Sequence, residues 1–432
     1  MKGKYLILVI LITTSFHLAE AQKIVTLKEC YDNAMGTNAL AGEKSSNEQV
    51  SKLKDQNIAT AWLPSLDANG SFVYNSSVID MKSALGALPI PGIADAIKPL
   101  PHEQYKVTLD INQTIYDGGA IKGARELEKA EHGLNDKQTE VDLYKLRAQI
   151  NSCYFNILLL ERQKELLNDY HDLLSKRISS MESAFRNGVI NRPDIDVLMA
   201  EKLKLEQQLG ENGLRKASLI KILSQLTGKD LDKSSELVLP FNKSEMNSDI
   251  SRPELQLFDL RKEQLSSSLK IVESKRMPRA YGFASLGYGN PPGNNFFKNE
   301  FAPYYMVGAG LKWNIFDWNK AKNEKQIVAI QKDMIDKRKT DLTDNLTRLL
   351  ESKNAEIESL EMMMTTDTSH ISIRKRITVS ADSKYLNGTI TATDYLNELN
   401  AEKQAVLNYE IHKISHAMAN IEYLNISGKE IE

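Results

Sequence analysis

The chain has 432 residues, with 55 Lys and Arg against 57 Asp and Glu for a formal net charge of -2. That balance gives no electrostatic case for nucleic acid as a partner. Two cysteines, Cys30 and Cys153, are too few to staple an exported chain of this length, so packing has to hold it together, with a single bridge between them left open.

In chain order, Lys2 and Lys4 precede an apolar run from Tyr5 to Leu11 that extends to Phe16, and Ala19-Glu20-Ala21 fits the small-x-small rule for signal cleavage. Residues 1–21 read as a signal peptide, and the mature chain is expected to start at Gln22 without a lipid anchor. Beyond it no window approaches the roughly 18 apolar residues of a membrane-spanning helix. The mature protein is therefore either soluble or crosses a membrane as β-strands.

Residues 22–231 read as a first repeat: helix, strand 65–75, loop, strand 104–116, then helices 117–187 and 190–227. Tyr105, Val107, Leu109 and Ile111 alternate with Lys106, Thr108, Asp110 and Asn112, the period of two that sets one face of a strand apolar. Pro64 and Pro278 each end a helix and open a strand. The loop between the first two strands, up to Glu103, holds four of the twelve prolines and is expected to face the exterior.

No proline interrupts 117–187, a helix on the order of 105 Å long at 1.5 Å per residue. Along it Leu146, Cys153, Leu160, Leu167, Leu174 and Met181 recur every seven residues, with Leu143, Ile150, Ile157 and Ile178 as companions. That is a coiled-coil seam, interrupted at Lys164 and His171, with Cys153 as a packed thiol. Residues 232–251 form a linker, and 252–432 are the second repeat: helix, strands 279–290 and 303–316, helices 317–387 and 390–426.

The two halves keep register. IYDGG from Ile115 matches IFDWN from Ile315, Asn187-Gly188 matches Asn387-Gly388, Asp194 matches Asp394, and LTGKDL from Leu226 matches ISGKEI from Ile426, all 200 residues apart. Four strands of about ten residues suit tilted transmembrane strands. They cannot close a barrel alone, because small closed barrels need about eight, so several chains must combine. The fold class is mainly α with transmembrane β: a tandem repeat of four long-helix segments and four strands.

These junction and turn motifs, in this order and spacing, resemble the TolC-type outer membrane efflux protein family over essentially the whole mature chain. The resemblance implies a homotrimer in outer membrane lipid, assembling into a β-barrel plus an α-helical barrel whose helical part lies in the periplasm, with residues 232–251 in an equatorial segment. It also implies docking to a periplasmic adaptor (membrane fusion) protein and, through it, to an inner-membrane transporter. Small-molecule efflux is the expected task; the outer component of type I protein secretion, or a periplasmic coiled-coil scaffold, are the alternatives.

Asp117, Gly118, Gly119 and Asp317 are the strand-to-helix junctions, with both aspartates expected as N-caps. Trp318-Asn319, where the family has two glycines, implies a differently shaped second junction. Asn187, Gly188, Asn387 and Gly388 are the helix-tip turns and the adaptor-docking surface. By motif position Asp194, Tyr385, Asp394 and Asn397 belong to the periplasmic entrance, where the acids would favour cations; Asp394 also suits a first-turn carboxylate that complements the helix dipole. Ile390 stands where the family often has a gate arginine, and Arg186 or Arg192 are substitutes. No nucleophile elbow, metal-binding histidine pair or phosphate loop occurs, so neither an enzymatic activity, a cofactor nor a metal is expected.

Overall fold

The computed structural model describes residues 24–79, 100–188, 190–231, 236–240, 249–295 and 297–431. The expected signal peptide, Gln22, most of the first inter-strand loop and much of the linker lie outside these residues.

The repeat is kept to the residue in the helices. α3 (Ala120–Arg186) and α6 (Lys320–Leu386) have 67 residues each, and α4 (Arg192–Thr227) and α7 (Ala392–Ser427) have 36 each. The halves differ upstream. The first enters through β1 (Ile24–Val25), α1 (Leu27–Thr37) and α2 (Ala41–Thr60), whereas the second, among the described residues, enters through α5 (Pro253–Ser274). β1 pairs in parallel with β4 (Glu236–Leu237) of the linker.

The chain divides into two compact units: one comprises residues up to Lys44, Gln138–Leu255 and Thr340 onward, the other Ser45–Lys137 and Gln256–Lys339. The second holds an antiparallel sheet of β2 (Ser65–Tyr74), β3 (Glu103–Tyr116), β5 (Arg279–Asn290) and β6 (Ala302–Lys312) in that order. β6 stops short of the expected residue 316. Its last partner is Arg279, and Pro278 beyond it has no N–H to continue the ladder.

Register sorts the side chains. Leu66, Ala68, Gly70 and Phe72 pair with Ile111, Leu109, Val107 and Tyr105, which in turn meet Ala284, Leu286, Tyr288 and Asn290. Ala284 and Leu286 continue to Val307 and Tyr305 on β6. Paired residues share a face, so one side of the sheet is almost wholly apolar, and it is exposed: Val107 63%, Tyr305 79%, Val307 76%. The opposite face carries Asp67, Asn69, Thr108, Asp110 and Ser285, with Asn69 Nδ2 donating to Asp110 Oδ2 at 2.7 Å. On that face Tyr281 and Phe283 lie over Gly310 and Gly308, where any Cβ would strike the ring. Among the described residues no helix is long and apolar enough to cross a membrane.

The other unit is helical. Ile150, Cys153, Tyr154, Ile157 and Leu158 of α3 are buried together with Tyr31 of α1, Leu223 of α4 and Ile421 of α7. This spacing gives a stripe wider than a two-stranded seam, because α3 meets several partners here. The Tyr154 hydroxyl lies 2.9 Å from Val25 O and 2.7 Å from Val238 O and accepts from Val238 N at 3.1 Å, tying β1 and the linker to α3.

Cys30 and Cys153 are both free and buried in this core. Burial pushes the Cys30 thiol up to about 12, with the Glu29 charge adding to it. At pH 8 this leaves so little thiolate that maleimide labels Cys30 about a thousandfold more slowly than an exposed cysteine, a rate that mass spectrometry of folded and urea-unfolded protein measures directly. Equal rates in the two states would contradict this packing.

Candidate functional site

Two regions carry the residues singled out by sequence, and the first is the pair of helix turns. Gly188 and Gly388 have φ of 71° and 69°, the left-handed conformation that ends a helix without a Cβ clash. At the second turn Thr389 N donates to Lys384 O at 2.9 Å and Gly388 N to Tyr385 O at 3.0 Å, a Schellman closure. Gly188 N donates to Phe185 O at 2.9 Å. Asn187, Gly188, Asn387 and Gly388 are exposed, with Leu386 62% and Phe185 40% exposed beside them.

The entrance candidates sit in different surroundings. Thr391 caps α7: its hydroxyl accepts from Asp394 N at 3.1 Å, and Asp394 Oδ2 accepts from Thr391 N at 3.0 Å. These bonds from Thr391 hold the Asp394 carboxyl below the usual carboxylate range. Asp394, Asn397 and Ile390 line one groove of about 550 Å³ with Arg376 and Lys384. Asn191, in contrast, makes no side-chain cap at the start of α4, where Pro193 fills the first turn.

Asp194, in the first turn of α4, lies near enough to Tyr385 for its charge to act on the phenol. Burial first, then the Asp194 charge, pushes the Tyr385 phenol up to about 12. Tyr385 stacks on Tyr395 with centroids 5.3 Å apart and rings 6° from parallel, and its hydroxyl lies 2.8 Å from Met181 Sδ. Arg177 of α3 lies over Tyr395 at 5.6 Å and pairs with Asp382 of α6. This arginine, rather than Arg186 or Arg192, joins the two helical hairpins; Arg192 is spent on Asp196 at 2.9 Å. Sequence reasoning passed over Arg177. Its only signal there is that position 377 in the second copy is Ile377.

The second region is the pair of strand-to-helix junctions. α3 begins at Ala120, so Asp117 is not the N-cap but lies two residues before it. Its buried carboxylate still accepts from Gly119 N at 2.9 Å and from Ile121 N. Asp317 does the same work from the same position, accepting from Ala321 N at 3.1 Å. Gly118 and Gly119 have φ of 70° and 89°, and Trp318 and Asn319 have 52° and 63°. The expectation of a differently shaped second junction is thus corrected. Both halves turn through the same left-handed pair, although for tryptophan this costs on the order of 1–2 kcal/mol.

Against this geometry, the family model "Outer membrane efflux protein" matches residues 54–222. Residues 54–222 carry this family's signature, and the chain as a whole has a TolC-type fold. Solved outer membrane channels match it over nearly their full length: CmeC of Campylobacter jejuni (TM-score 0.65, 16% identity, 93% of this chain and 85% of that one), VceC of Vibrio cholerae (0.67, 11%, 94% and 97%), and MtrE of Neisseria gonorrhoeae in its open state (0.65, 13%, 94% and 89%). No curated protein sequence matches. The efflux-protein family and these structural neighbours are channels rather than enzymes, and among the described residues no cluster of three or more His, Cys, Asp or Glu is arranged to hold a metal. On the efflux-protein fold, the strands supply two-faced sheet and the glycine-ended hairpins supply the turns.

Proposed function

We propose that this protein is the outer-membrane duct of a tripartite exporter. Three copies join their sheets edge to edge into one barrel and pass small molecules from a periplasmic adaptor and inner-membrane transporter to the exterior. One observation carries this reading: a four-stranded sheet with an exposed apolar face, a polar opposite face, and unpaired outer edges on β2 and β6 among the described residues. Lipid tolerates such a sheet only if its edges are closed, and apolar-out, polar-in alternation is the pattern of an outer-membrane barrel. A periplasmic coiled-coil scaffold would have no use for that apolar face. Planar-bilayer conductance of the detergent-extracted protein, with its mass in detergent, tests the duct; a water-soluble species that never inserts would sink it.

The periplasmic entrance lies at the glycine turns. Asn187-Gly188 and Asn387-Gly388, flanked by Phe185 and Leu386, are the exposed turns offered to the adaptor. Asp194 and Asp394, with Asn397 beside the latter, line the approach, so symmetry multiplies each carboxylate around a narrow pore. Exchanging both aspartates for alanine weakens block by multivalent cations and raises conductance, while the trimer still assembles. Single-channel traces identical to the parent would remove them from the entrance. The Arg177–Asp382 pair and the Tyr385–Tyr395 stack hold the hairpins in the closed arrangement.

A further inference from the structure

The two strand-to-helix junctions share a backbone and differ in chemistry, and this difference is not needed for the turn. Where the first half has Gln113, Tyr116 and Gly118, the second has Trp313, Phe316 and Trp318, exposed by 57%, 66% and 83%. Trp318 holds a left-handed conformation that glycine would take freely. Strain retained beneath an exposed apolar side chain points to a use for that side chain.

Charge differs in step. Residues 59–65 and 112–125 carry Lys122 and Arg125 against Asp117, whereas the equivalent residues 273–279 and 312–325 carry Lys275, Arg276, Arg279, Lys312, Lys320, Lys322 and Lys325 against Glu273, Asp317 and Glu324. Two of these cations are engaged, Lys325 with Glu273 at 2.7 Å and Arg276 with Asp317 at 3.7 Å. Lys275, Lys320 and Lys322 are exposed and make no ion pair among the described residues. A second copy offers this surface little negative charge, since the first-half junction has a single acid, Asp117, which is buried in its own cap.

All three tryptophans of the chain, Trp62 included, stand at this end of the strands. Tryptophan concentrates at the membrane–water interface, and exposed lysines beside it meet lipid phosphates. We propose that the second junction is a binding surface for anionic phospholipid. Trp313, Phe316 and Trp318 seat in the interface at the foot of the apolar face, and Lys275, Lys320 and Lys322 engage the headgroup phosphates. The inference rests on the membrane reading of the sheet and adds a lipid preference confined to one half of each protomer.

The test uses the full chain in phosphatidylcholine vesicles that contain a fixed fraction of brominated lipid, either phosphatidylglycerol or phosphatidylcholine. Quenching of tryptophan fluorescence reports which lipid lies against Trp62, Trp313 and Trp318. The expected result is stronger quenching by brominated phosphatidylglycerol, corresponding to about a fivefold preference. K275Q/K320Q/K322Q brings that ratio to near one with conductance unchanged, and W318G, which suits the backbone, removes a large share of the quenchable emission. Equal quenching by both lipids, or an unaltered ratio in the triple variant, overturns the proposal. Emission that neither lipid quenches in a conducting channel overturns it too and assigns the face to another copy. A chain that neither conducts nor inserts fails at the duct itself.

Discussion

Replacing Arg177 by alanine raises the resting single-channel conductance several-fold, and so does Asp382→Ala. Arg177 and Asp382 are partners across α3 and α6, with side chains only 15% and 32% exposed. Removing either leaves the other charge half-buried without its partner, a loss of about 2 kcal/mol per protomer. Each 1.4 kcal/mol is about tenfold in an equilibrium, so a closed state that relies on this pair in every subunit loses its advantage. Arg177 also lies over the Tyr395 ring, which stacks on Tyr385, so the guanidinium braces two tyrosines together with the acid. The exchange R177D/D382R restores the charge pair and returns conductance toward the parent value, less whatever the lost ring contact contributes. Bilayer recordings in which both single variants behave like the parent would show that the pair does not hold the entrance.

The second large effect is on assembly. Gly118→Ala destabilises the protein by about 3 kcal/mol, whereas Gly119→Ala, one residue on, does so by about 1 kcal/mol. Both glycines are left-handed, so both substitutions meet the same backbone penalty. They differ in space: a Cβ on Gly118 would lie 2.6 Å from Met277 Cβ, 3.1 Å from Ser274 O and 3.3 Å from Pro278 O, while one on Gly119 meets nothing within 4 Å. Two of those three neighbours are backbone atoms at the α5–β5 connection and cannot swing aside. The thermal midpoint and trimer yield in detergent separate the two variants, and equal losses would mean that the close approach is not maintained in the membrane.

Much of the fold was legible because it is written in local periods. Alternation at Tyr105 to Ile111 reads as a strand, and Glu103–Tyr116 is one; the tip glycines Gly188 and Gly388 mark where each long helix reverses. What escaped is tertiary. Arg177 and Asp382 are 205 residues apart, and no local pattern announces such a pair. The heptad seam along α3 covers only part of its buried face: Tyr154 and Leu158, buried outside the heptad, join the core with α1, α4 and the linker. At the junctions, composition misled: Trp318-Asn319 in place of two glycines suggests a differently shaped turn, yet Asp317 closes on Ala321 N and fixes the backbone as Asp117 does in the other half. At Asp394 the local signal was present in Thr391, three residues before it, whose hydroxyl closes the capping box.

The identical lengths of α3 and α6, and of α4 and α7, act as a ruler shared by the two halves. Deleting one residue from a single helix turns everything beyond it by about 100° and draws it back about 1.5 Å, which breaks its facing with three helices that have not changed. A change of reach is therefore open to this molecule only in matched steps: the same number of residues, close to whole turns, taken from or given to all four helices together. The repeat thus makes length an inherited pair of quantities, one for the two longer helices and one for the two shorter, and a drift in either half alone breaks the match between them.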